Sequence, residues 1–203
     1  DGPSLRMSKA DGARLAGLDS LAPQWKGGER LREFAGRLRN PDIKACPPPT
    51  GLAGKLRPYQ QQGLVWMQTL RELGAGGILG DDMGLGKTLQ SLAHILAEKQ
   101  AGRLDRPALV VMPTSLIPNW QDEASRFAPQ LRVLTLKGST RQKHFGELGE
   151  HDLLLTSYAL LTRDIAALRE QPLHLLILDE AQHIKNPSGK AAQAVREMQT
   201  RQR

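Results

Sequence analysis

Residues 76–88 read GGILGDDMGLGKT, and this stretch decides the fold. The pair Ile78-Leu79 is predicted to be a short strand, and the apolar spacing after the glycines predicts a helix. A glycine-rich turn between a strand and a helix is the context of a phosphate-binding loop. The strict G-x-x-x-x-G-K-T pattern would place its first glycine at Asp81, so the pattern fails by one residue. The alternative is a glycine-rich turn with an incidental lysine.

Lys87 and Thr88 supply the chemistry that a phosphate-binding loop needs. Glycines let backbone N–H groups turn toward phosphate oxygens, and the N-terminus of the following helix adds partial positive charge. In such a loop the lysine neutralises the outer phosphates and the threonine hydroxyl ligates Mg²⁺. The sequence therefore predicts a phosphate site with a bound magnesium ion.

An acidic pair follows a second apolar run. Residues 175–178, LLIL, lead directly into Asp179 and Glu180, which places both acids at the carboxyl edge of a sheet, where open α/β folds bind ligands. Asp179 is expected to hold the Mg²⁺ shell, and Glu180 to orient or deprotonate the attacking water. The alternative is that the pair caps the next helix.

The order of elements predicts an α/β fold with a mostly parallel central sheet. Short apolar runs with little polar alternation are typical of strands buried on both faces, which occur in parallel sheets covered by helices. The predicted strands are Ile78-Leu79, 108–112, 131–136, 153–156 and 173–178. The predicted crossover helices are 115–127, 140–148, 157–168 and 188–199.

The first quarter of the chain differs from the rest. Residues 29–39 have apolar side chains at i, i+3, i+4 and i+7 and are predicted to form an amphipathic helix. The Cys-Pro-Pro-Pro-Thr-Gly stretch that starts at Cys46 is a stiff linker. We therefore divide the chain into an N-terminal extension, residues 1–50, and a second domain, residues 51–203, which contains the predicted phosphate site.

Composition and charge exclude several classes of protein. The net charge is +7, and its excess lies in the N-terminal quarter, which fits either a polyanion partner or a solvated surface. Aromatic residues make up 4%, which disfavours base stacking on single strands. No apolar run is long enough to span a membrane, and one cysteine cannot form an internal disulfide. The start lacks the basic and apolar regions of a signal peptide, so we expect a cytoplasmic protein.

Five motifs in order resemble those of the SWI/SNF-type ATPases of helicase superfamily two, in a bacterial version. The loop 81–88, DDMGLGKT, is similar to that family's Asp-Glu-Met-Gly-Leu-Gly-Lys-Thr, which explains the missing first glycine. The stretch LRPYQ at 56–60 resembles the Q motif, and VVMPTSL at 110–116, with Asn119 and Trp120, resembles motif Ia. The stretch LTSY at 155–158 resembles motif Ib, and DEAQHIKN at 179–186 resembles motif II.

The resemblance implies that residues 51–203 form the first RecA-like lobe, a three-layer domain that binds ATP and Mg²⁺. The residues that it assigns to the nucleotide are Arg57, Gln60, Asp81, Met83, Gly84, Leu85, Gly86, Lys87 and Thr88. In this assignment Gln60 reads adenine, and Thr88 and Asp179 hold the metal ion. The residues that it assigns to catalysis are Lys87, Asp179, Glu180 and Gln182.

The resemblance also implies translocation along double-stranded DNA without strand separation. The implied contacts to the phosphate backbone are Thr114, Lys137, Thr156 and Ser157. Threonine and serine after strands are also common turn or cap residues, so this alternative stays open for each. The chain stops before motif III is expected, so ATP hydrolysis is expected to need a second RecA-like lobe.

Two departures and three alternatives qualify the resemblance. Asp82 replaces a glutamate of the family's loop. Gln182 stands where many members of the family have histidine, and His183 comes one residue later, so His183 receives no catalytic role. A DEAD-box RNA helicase is disfavoured because Pro113-Thr-Ser-Leu departs from the Pro-Thr-Arg-Glu-Leu of that family. A GTPase is disfavoured because no Asn-Lys-x-Asp motif occurs. A non-catalytic module that binds nucleic acid or protein remains the alternative for the chain in isolation.

Overall fold

The computed structural model describes Gly36 and residues 46–203. The helices are α1 Pro58–Glu72, α2 Lys87–Gln100, α3 Ile117–Phe127, α4 Tyr158–Leu168 and α5 Lys190–Glu197. The strands are β1 Ala108–Met112, β2 Val133–Thr135, β3 Leu153–Ser157, β4 Leu173–Leu178 and β5 Thr200–Gln202. Short 3₁₀ helices lie at Thr114–Leu116, Thr140–His144, Leu148–Glu150 and Ala181–Ile184. Among the described helices, none has the length and hydropathy that crossing a membrane demands.

The five described strands form one parallel sheet in the order β2-β3-β1-β4-β5. In β1, Ala108 is aligned with Leu153 of β3 on one side and with Leu175 of β4 on the other. The residues of β1 and β3 are buried throughout, as expected for strands covered on both faces. The predicted α/β class with a parallel central sheet is therefore confirmed.

Alternation along β1 divides the core into two layers. Val110 and Met112 lie in a cluster with Leu92 and Ile95 of α2 and with Trp120 of α3. The alternate residues of β1, Leu109 and Val111, lie in a second cluster. This cluster also contains Leu161 of α4 and Ala194 and Val195 of α5. Because successive strand residues point to opposite faces, helices cover both sides of the sheet and give three layers.

Two predicted elements are wrong. Ile78 and Leu79 form no strand. The backbone N–H of Gly77 donates to the carbonyl of Arg203 at 3.3 Å, but this pairing does not continue into a β-ladder at Ile78, which is 90% exposed. Instead, the fifth strand is β5, which pairs with β4. The predicted helix over 140–148 is two short 3₁₀ segments, and it lacks the regular apolar face that packs an α-helix onto a sheet.

The segment 46–57 contacts the α/β domain directly. The backbone N–H of Ala53 donates to the carbonyl of Phe127 at 2.8 Å, and Gln61 Nε2 donates to the carbonyl of Cys46 at 2.6 Å. Leu52 packs against the core. The predicted amphipathic helix over 29–39 lies, apart from Gly36, outside the described residues, so the boundary near residue 50 stays a prediction.

Candidate functional site

The predicted phosphate loop, residues 81–88, is shaped by two glycines that precede α2. Gly84 and Gly86 have φ of 82° and 77°, a left-handed conformation that costs glycine little. A Cβ built at Gly86 would lie 2.5 Å from Gln60 Nε2, so close packing also requires glycine there. The side chain of Lys87 returns over the loop, and its Nζ donates to the carbonyl oxygens of Asp81 at 2.7 Å and Asp82 at 3.0 Å.

The start of α1 supports this loop from one side. Gln60 is buried; its Nε2 donates to the carbonyl of Leu85 at 3.1 Å, and its Oε1 accepts from the backbone N–H of Arg57 at 2.9 Å. Tyr59 donates through its hydroxyl to the same carbonyl of Leu85 at 3.2 Å. The Q-motif glutamine is therefore part of the scaffold of the phosphate loop.

Asp179 follows β4 at the carboxyl edge of the sheet and is held from three directions. Trp120 Nε1 donates to Asp179 Oδ2 at 2.8 Å, and the backbone N–H of Glu180 donates to Oδ1 at 3.0 Å. The hydroxyl of Tyr158 donates to the backbone carbonyl of Asp179 at 2.8 Å, and its ring stacks on His183 with centroids 5.4 Å apart. Burial, and then the charges of Asp179 and Glu180, raise the pKa of Tyr158 to about 12.

Glu180 has an unusual backbone for a non-glycine residue. Its φ is 51° and its ψ is 51°, which costs an L-residue about 1–2 kcal/mol. Gln182 Nε2 donates to Glu180 Oε2 across the 3₁₀ turn. Strained backbone of this kind concentrates at functional sites, so the geometry is consistent with a functional carboxylate here.

One cavity of about 820 Å³ joins the two motifs. The predicted site residues that line it are Met83, Lys87, Thr88, Asp179, Glu180 and Gln182. The other predicted nucleotide contacts, Arg57, Gln60, Asp81, Gly84, Leu85 and Gly86, do not line this cavity. The structure thus brings a lysine and a hydroxyl from the first turn of α2 into the same cavity as two carboxylates that follow β4.

The donor set of the cavity fits magnesium bound together with a triphosphate. Mg²⁺ is usually held by one or two carboxylates and by substrate phosphates, with several waters retained. Thr88 and Asp179 provide a hydroxyl and a carboxylate in one cavity. In the described part of the chain, no group of three or more His, Cys, Asp or Glu side chains forms an all-protein metal site, and a magnesium site completed by phosphates does not require one.

Glu98 forms a buried polar cluster that ties α2 to β4. Its side chain has 0% exposure, and it accepts hydrogen bonds from Arg103 at 2.5 Å, His174 at 2.9 Å and Gln68 at 3.0 Å. Burial alone would raise the pKa of Glu98, but the hydrogen bonds from His174, Arg103 and Gln68 outweigh it and lower that pKa well below its usual value. This cluster connects the helix that begins at Lys87 with the strand that leads to Asp179.

The four predicted DNA contacts fall into two groups. Thr114 and Lys137 are exposed, and they follow β1 and β2 at the carboxyl edge of the sheet. Thr156 is 0% exposed, and Ser157 is 1% exposed and accepts from the backbone N–H of Leu160 as the N-cap of α4. The side chains of Thr156 and Ser157 are thus not presented at the surface, because β3 is a central strand and its last residue caps a helix.

Two residues of the site were missed by sequence reasoning. Trp120 and Tyr158 appear in the sequence analysis only as parts of motifs Ia and Ib, yet both donate hydrogen bonds to Asp179. The only available signal was the polar atom on each aromatic side chain, since a buried indole N–H or phenol O–H normally has a partner. Which partner it has depends on tertiary structure.

The fold and the site together define a RecA-like P-loop domain of the nucleotide-binding class. A glycine-rich loop opens a helix, and an Asp-Glu pair follows a central parallel strand into the same cavity. The chain belongs to the SNF2-related family, because the model of the SNF2-related domain matches residues 59–203.

Individual relatives agree with this assignment. The chain is 41% identical over 171 residues to the "Putative ATP-dependent helicase/translocase YwqA" of Bacillus subtilis, covering 83% of this chain and 18% of that protein. It is 36% identical over 202 residues to the "Helicase SWR1" of Eremothecium gossypii, covering 96% of this chain and 13% of that protein. The chain thus spans less than a fifth of the length of these curated relatives.

A solved structure agrees in fold as well as in sequence. The SWI2/SNF2 ATPase core of Sulfolobus solfataricus, solved in complex with dsDNA, matches with a TM-score of 0.73 and 41% identity. The match covers 78% of this chain and 32% of that chain. The α/β class and the family resemblance drawn from the motifs are confirmed.

Proposed function

We propose that this chain is the nucleotide-binding lobe of an ATP-dependent double-stranded DNA translocase. The observation that carries the proposal is the single cavity lined by Lys87, Thr88, Asp179 and Glu180. A basic side chain, a hydroxyl and two carboxylates around one space are the groups that phosphoryl transfer to water requires. The names of the relatives, an ATP-dependent helicase/translocase and a helicase, support the same class of activity.

Each group has a distinct role in this proposal. Lys87 neutralises charge on the outer phosphates, and Thr88 and Asp179 hold Mg²⁺. Bound Mg²⁺ supplies neutralisation of charge on the phosphate oxygens. Glu180 orients or deprotonates the attacking water, and Gln182 positions Glu180 through their hydrogen bond.

Gln60 is proposed to bind adenine with only one of the two N–H groups of its side-chain amide. One N–H of its Nε2 holds the carbonyl of Leu85, which leaves the second N–H of the amide for a base. Binding of adenine and the shape of the phosphate loop are therefore linked through one side chain. Arg57 lies next to it, with its backbone N–H on Gln60 Oε1.

DNA binding is proposed for the carboxyl edge of the sheet. Thr114 and Lys137 are exposed there, and a translocating motor needs contacts to phosphates that read no sequence. Thr156 and Ser157 are buried at the end of β3, so they are proposed to contribute to this surface only through their backbone. The solved relative, bound to dsDNA, supports duplex rather than single-stranded DNA as the ligand. A nucleoid-associated protein of the cytoplasm follows from this proposal.

Hydrolysis is proposed to need a second RecA-like lobe. Arginines supplied from outside a nucleotide site stabilise charge in the transition state and are worth about 10³ to 10⁵ in rate. The chain alone is therefore expected to bind Mg·ATP and to hydrolyse it slowly. Vigorous DNA-stimulated ATP turnover by these 203 residues would contradict this part of the proposal.

Binding of labelled duplex DNA to the chain at several salt concentrations tests the DNA surface. Lys137→Ala is expected to weaken binding equally for DNA of unrelated sequences. It should also reduce the slope of log affinity against log salt concentration by about 1, the contribution of one phosphate contact. Lys190→Ala, an equal loss of charge at the start of α5, is the matched control. An unchanged salt dependence in Lys137→Ala would remove Lys137 from the interface.

A superfamily two RNA helicase is the rival within the same fold. Stimulation of ATP hydrolysis by duplex DNA and by duplex RNA, measured on a longer protein that carries this sequence and a second lobe, separates the two. The proposal requires greater stimulation by duplex DNA. Greater stimulation by RNA would favour the rival, and stimulation by neither would favour a non-catalytic binding module.

A further inference from the structure

Two buried aromatic side chains from different helices contact Asp179. Trp120 of α3 is 2% exposed, and its Nε1 donates to Asp179 Oδ2 at 2.8 Å. Tyr158 is the first residue of α4 and is 7% exposed, and its hydroxyl donates to the backbone carbonyl of Asp179 at 2.8 Å. The side chain and the backbone of one carboxylate residue are therefore held by two separate helices.

These contacts fix the orientation of the carboxylate. Oδ2 accepts from Trp120 and Oδ1 accepts from the backbone N–H of Glu180, so the plane of the carboxylate is set by two donors. An ionised carboxylate oxygen can accept more than one hydrogen bond, so each oxygen keeps a lone pair for a metal ion or its bound water. Tyr158 fixes the backbone just before the left-handed turn at Glu180.

We propose that Trp120 and Tyr158 are positioning residues that hold Asp179 in the orientation that binds Mg²⁺. This inference rests on the proposed function of the cavity as a Mg·ATP site. Metal-ligating carboxylates are commonly held by hydrogen bonds of their own, and loss of such a partner typically lowers metal affinity about 10- to 100-fold. Tyr158 makes this kind of contact from outside the cavity, whereas Trp120 makes it from the cavity wall, where the residue is 2% exposed.

A purely structural role for the two rings predicts a different result. Trp120 also packs in the core layer with α2, and Tyr158 packs in the opposite layer. If packing were their whole role, their loss would lower the stability of the fold and weaken ATP binding equally with and without magnesium. Positioning of Asp179 affects only the part of ATP affinity that Mg²⁺ adds.

The test measures the affinity of the 203-residue chain for a fluorescent ATP analogue in Mg²⁺ and in EDTA. Trp120→Phe keeps an aromatic ring and removes the N–H. It is expected to reduce the magnesium-dependent gain in affinity about 10-fold or more, with little change in EDTA. Tyr158→Phe removes one hydroxyl from a residue of the same shape and is expected to change the gain in the same direction. Thr69→Val removes one hydroxyl that donates to the carbonyl of Val65 at 2.9 Å, outside the cavity, and should leave the gain unchanged.

A double-mutant cycle with Asp179→Asn gives a readout that packing alone does not move. If Trp120 acts through Asp179, adding Trp120→Phe to Asp179→Asn causes no further loss of the magnesium-dependent gain. Equal additional loss in both backgrounds would overturn the proposal. Circular dichroism checks folding, and Tyr158→Phe decides the question if Trp120→Phe does not fold.

Failure of this inference is distinguishable from failure of the proposed function. If both single variants keep the full magnesium-dependent gain, positioning is wrong while the Mg·ATP site stands. If the parent chain binds no ATP analogue at all, both proposals fall together. A loss of affinity that is the same in Mg²⁺ and in EDTA overturns positioning and assigns the two rings to packing.

Discussion

Lys87 Nζ donates to the carbonyl oxygen of Asp81 at 2.7 Å, so the lysine of the phosphate loop is bound to the backbone of its own loop. The carbonyl of Asp82 accepts a second hydrogen bond from the same ammonium group. Hydrogen bonds between two charged groups are stronger than those to a neutral carbonyl. Phosphate oxygens are therefore better partners for Lys87, and nucleotide binding is expected to replace these loop contacts.

Lys87→Ala is expected to abolish measurable binding of a fluorescent ATP analogue. The variant removes the one ammonium group that lines the loop side of the cavity, while the fold loses only hydrogen bonds to partly exposed carbonyls. The melting temperature should therefore change little. Lys143→Ala, which removes the same charge from an exposed 3₁₀ segment, is the control and should bind as the parent does. Unchanged binding in Lys87→Ala would show that the phosphate site is misplaced.

Gly86→Ala is expected to damage the site more than Gly84→Ala. Both glycines have a left-handed φ, so both variants carry a backbone cost of about 1–2 kcal/mol. Only at Gly86 would the new Cβ meet another group, Gln60 Nε2 at 2.5 Å, whereas nothing lies within 4 Å at Gly84.

Chemical denaturation and ATP-analogue titration of both glycine variants measure this difference. Loss of the Gln60 contact with the phosphate loop should lower nucleotide affinity in Gly86→Ala beyond the loss in Gly84→Ala. Equal effects in the two variants would mean that close packing between α1 and the loop has no role in binding.

Glu98→Gln is expected to lower the free energy of unfolding by about 3 kcal/mol. The substitution removes the charge of a fully buried carboxylate that Arg103 and His174 contact, and breaking such a pair is costly. Glu123 accepts a surface hydrogen bond from Asn119, and Glu123→Gln is the control that should change stability by less than about 0.5 kcal/mol. Urea denaturation of the two variants checks the difference, and equal stabilities would show that the Glu98 cluster is dispensable.

Stability is expected to fall with acid because His94 is buried. Burial lowers the pKa of His94 from 6.5 to about 4. Between these two values the unfolded chain binds more protons than the folded chain, so stability decreases as pH falls through this window. The expected loss from pH 6.5 to pH 4 is roughly 3 kcal/mol. Glu98 adds to the loss only below its unfolded pKa near 4.5, because its folded pKa is lowered.

His94→Leu separates the histidine from other acid effects. The variant cannot titrate at this position, so its denaturation midpoint should depend less on pH between about 6.5 and 4.5. Absolute stability is expected to fall, because Gln68 Nε2 loses His94 Nδ1 as a partner at 3.0 Å. A slope equal to that of the parent chain would show that His94 does not cause the acid sensitivity.

Local patterns in the sequence predict much of the fold. The apolar runs that become β1, β3 and β4 are short and nearly continuous, and a parallel sheet is the arrangement that buries both faces of such strands. The failure at Ile78 and Leu79 has a physical cause. Two apolar residues form a strand only if a neighbouring strand completes the ladder, and here the pairing stops at Gly77.

Local patterns predict the candidate site only in part. The glycine loop and the Asp-Glu pair were identified because phosphate and metal chemistry require particular residue types at short spacing. The burial of Thr156 and Ser157 was not predicted, because a residue at the end of a strand is exposed or buried according to the helix that follows it.

The amino-acid order alone determined the class of fold, the phosphate loop and the acidic pair, since each depends on residues that are close in the chain. Only tertiary structure decided that Trp120 donates to Asp179, a contact across 59 positions, and that Gln60 holds the carbonyl of Leu85. Such contacts depend on how helices pack onto the two faces of the sheet. That packing is a property of the whole core, and no short pattern of residues encodes it.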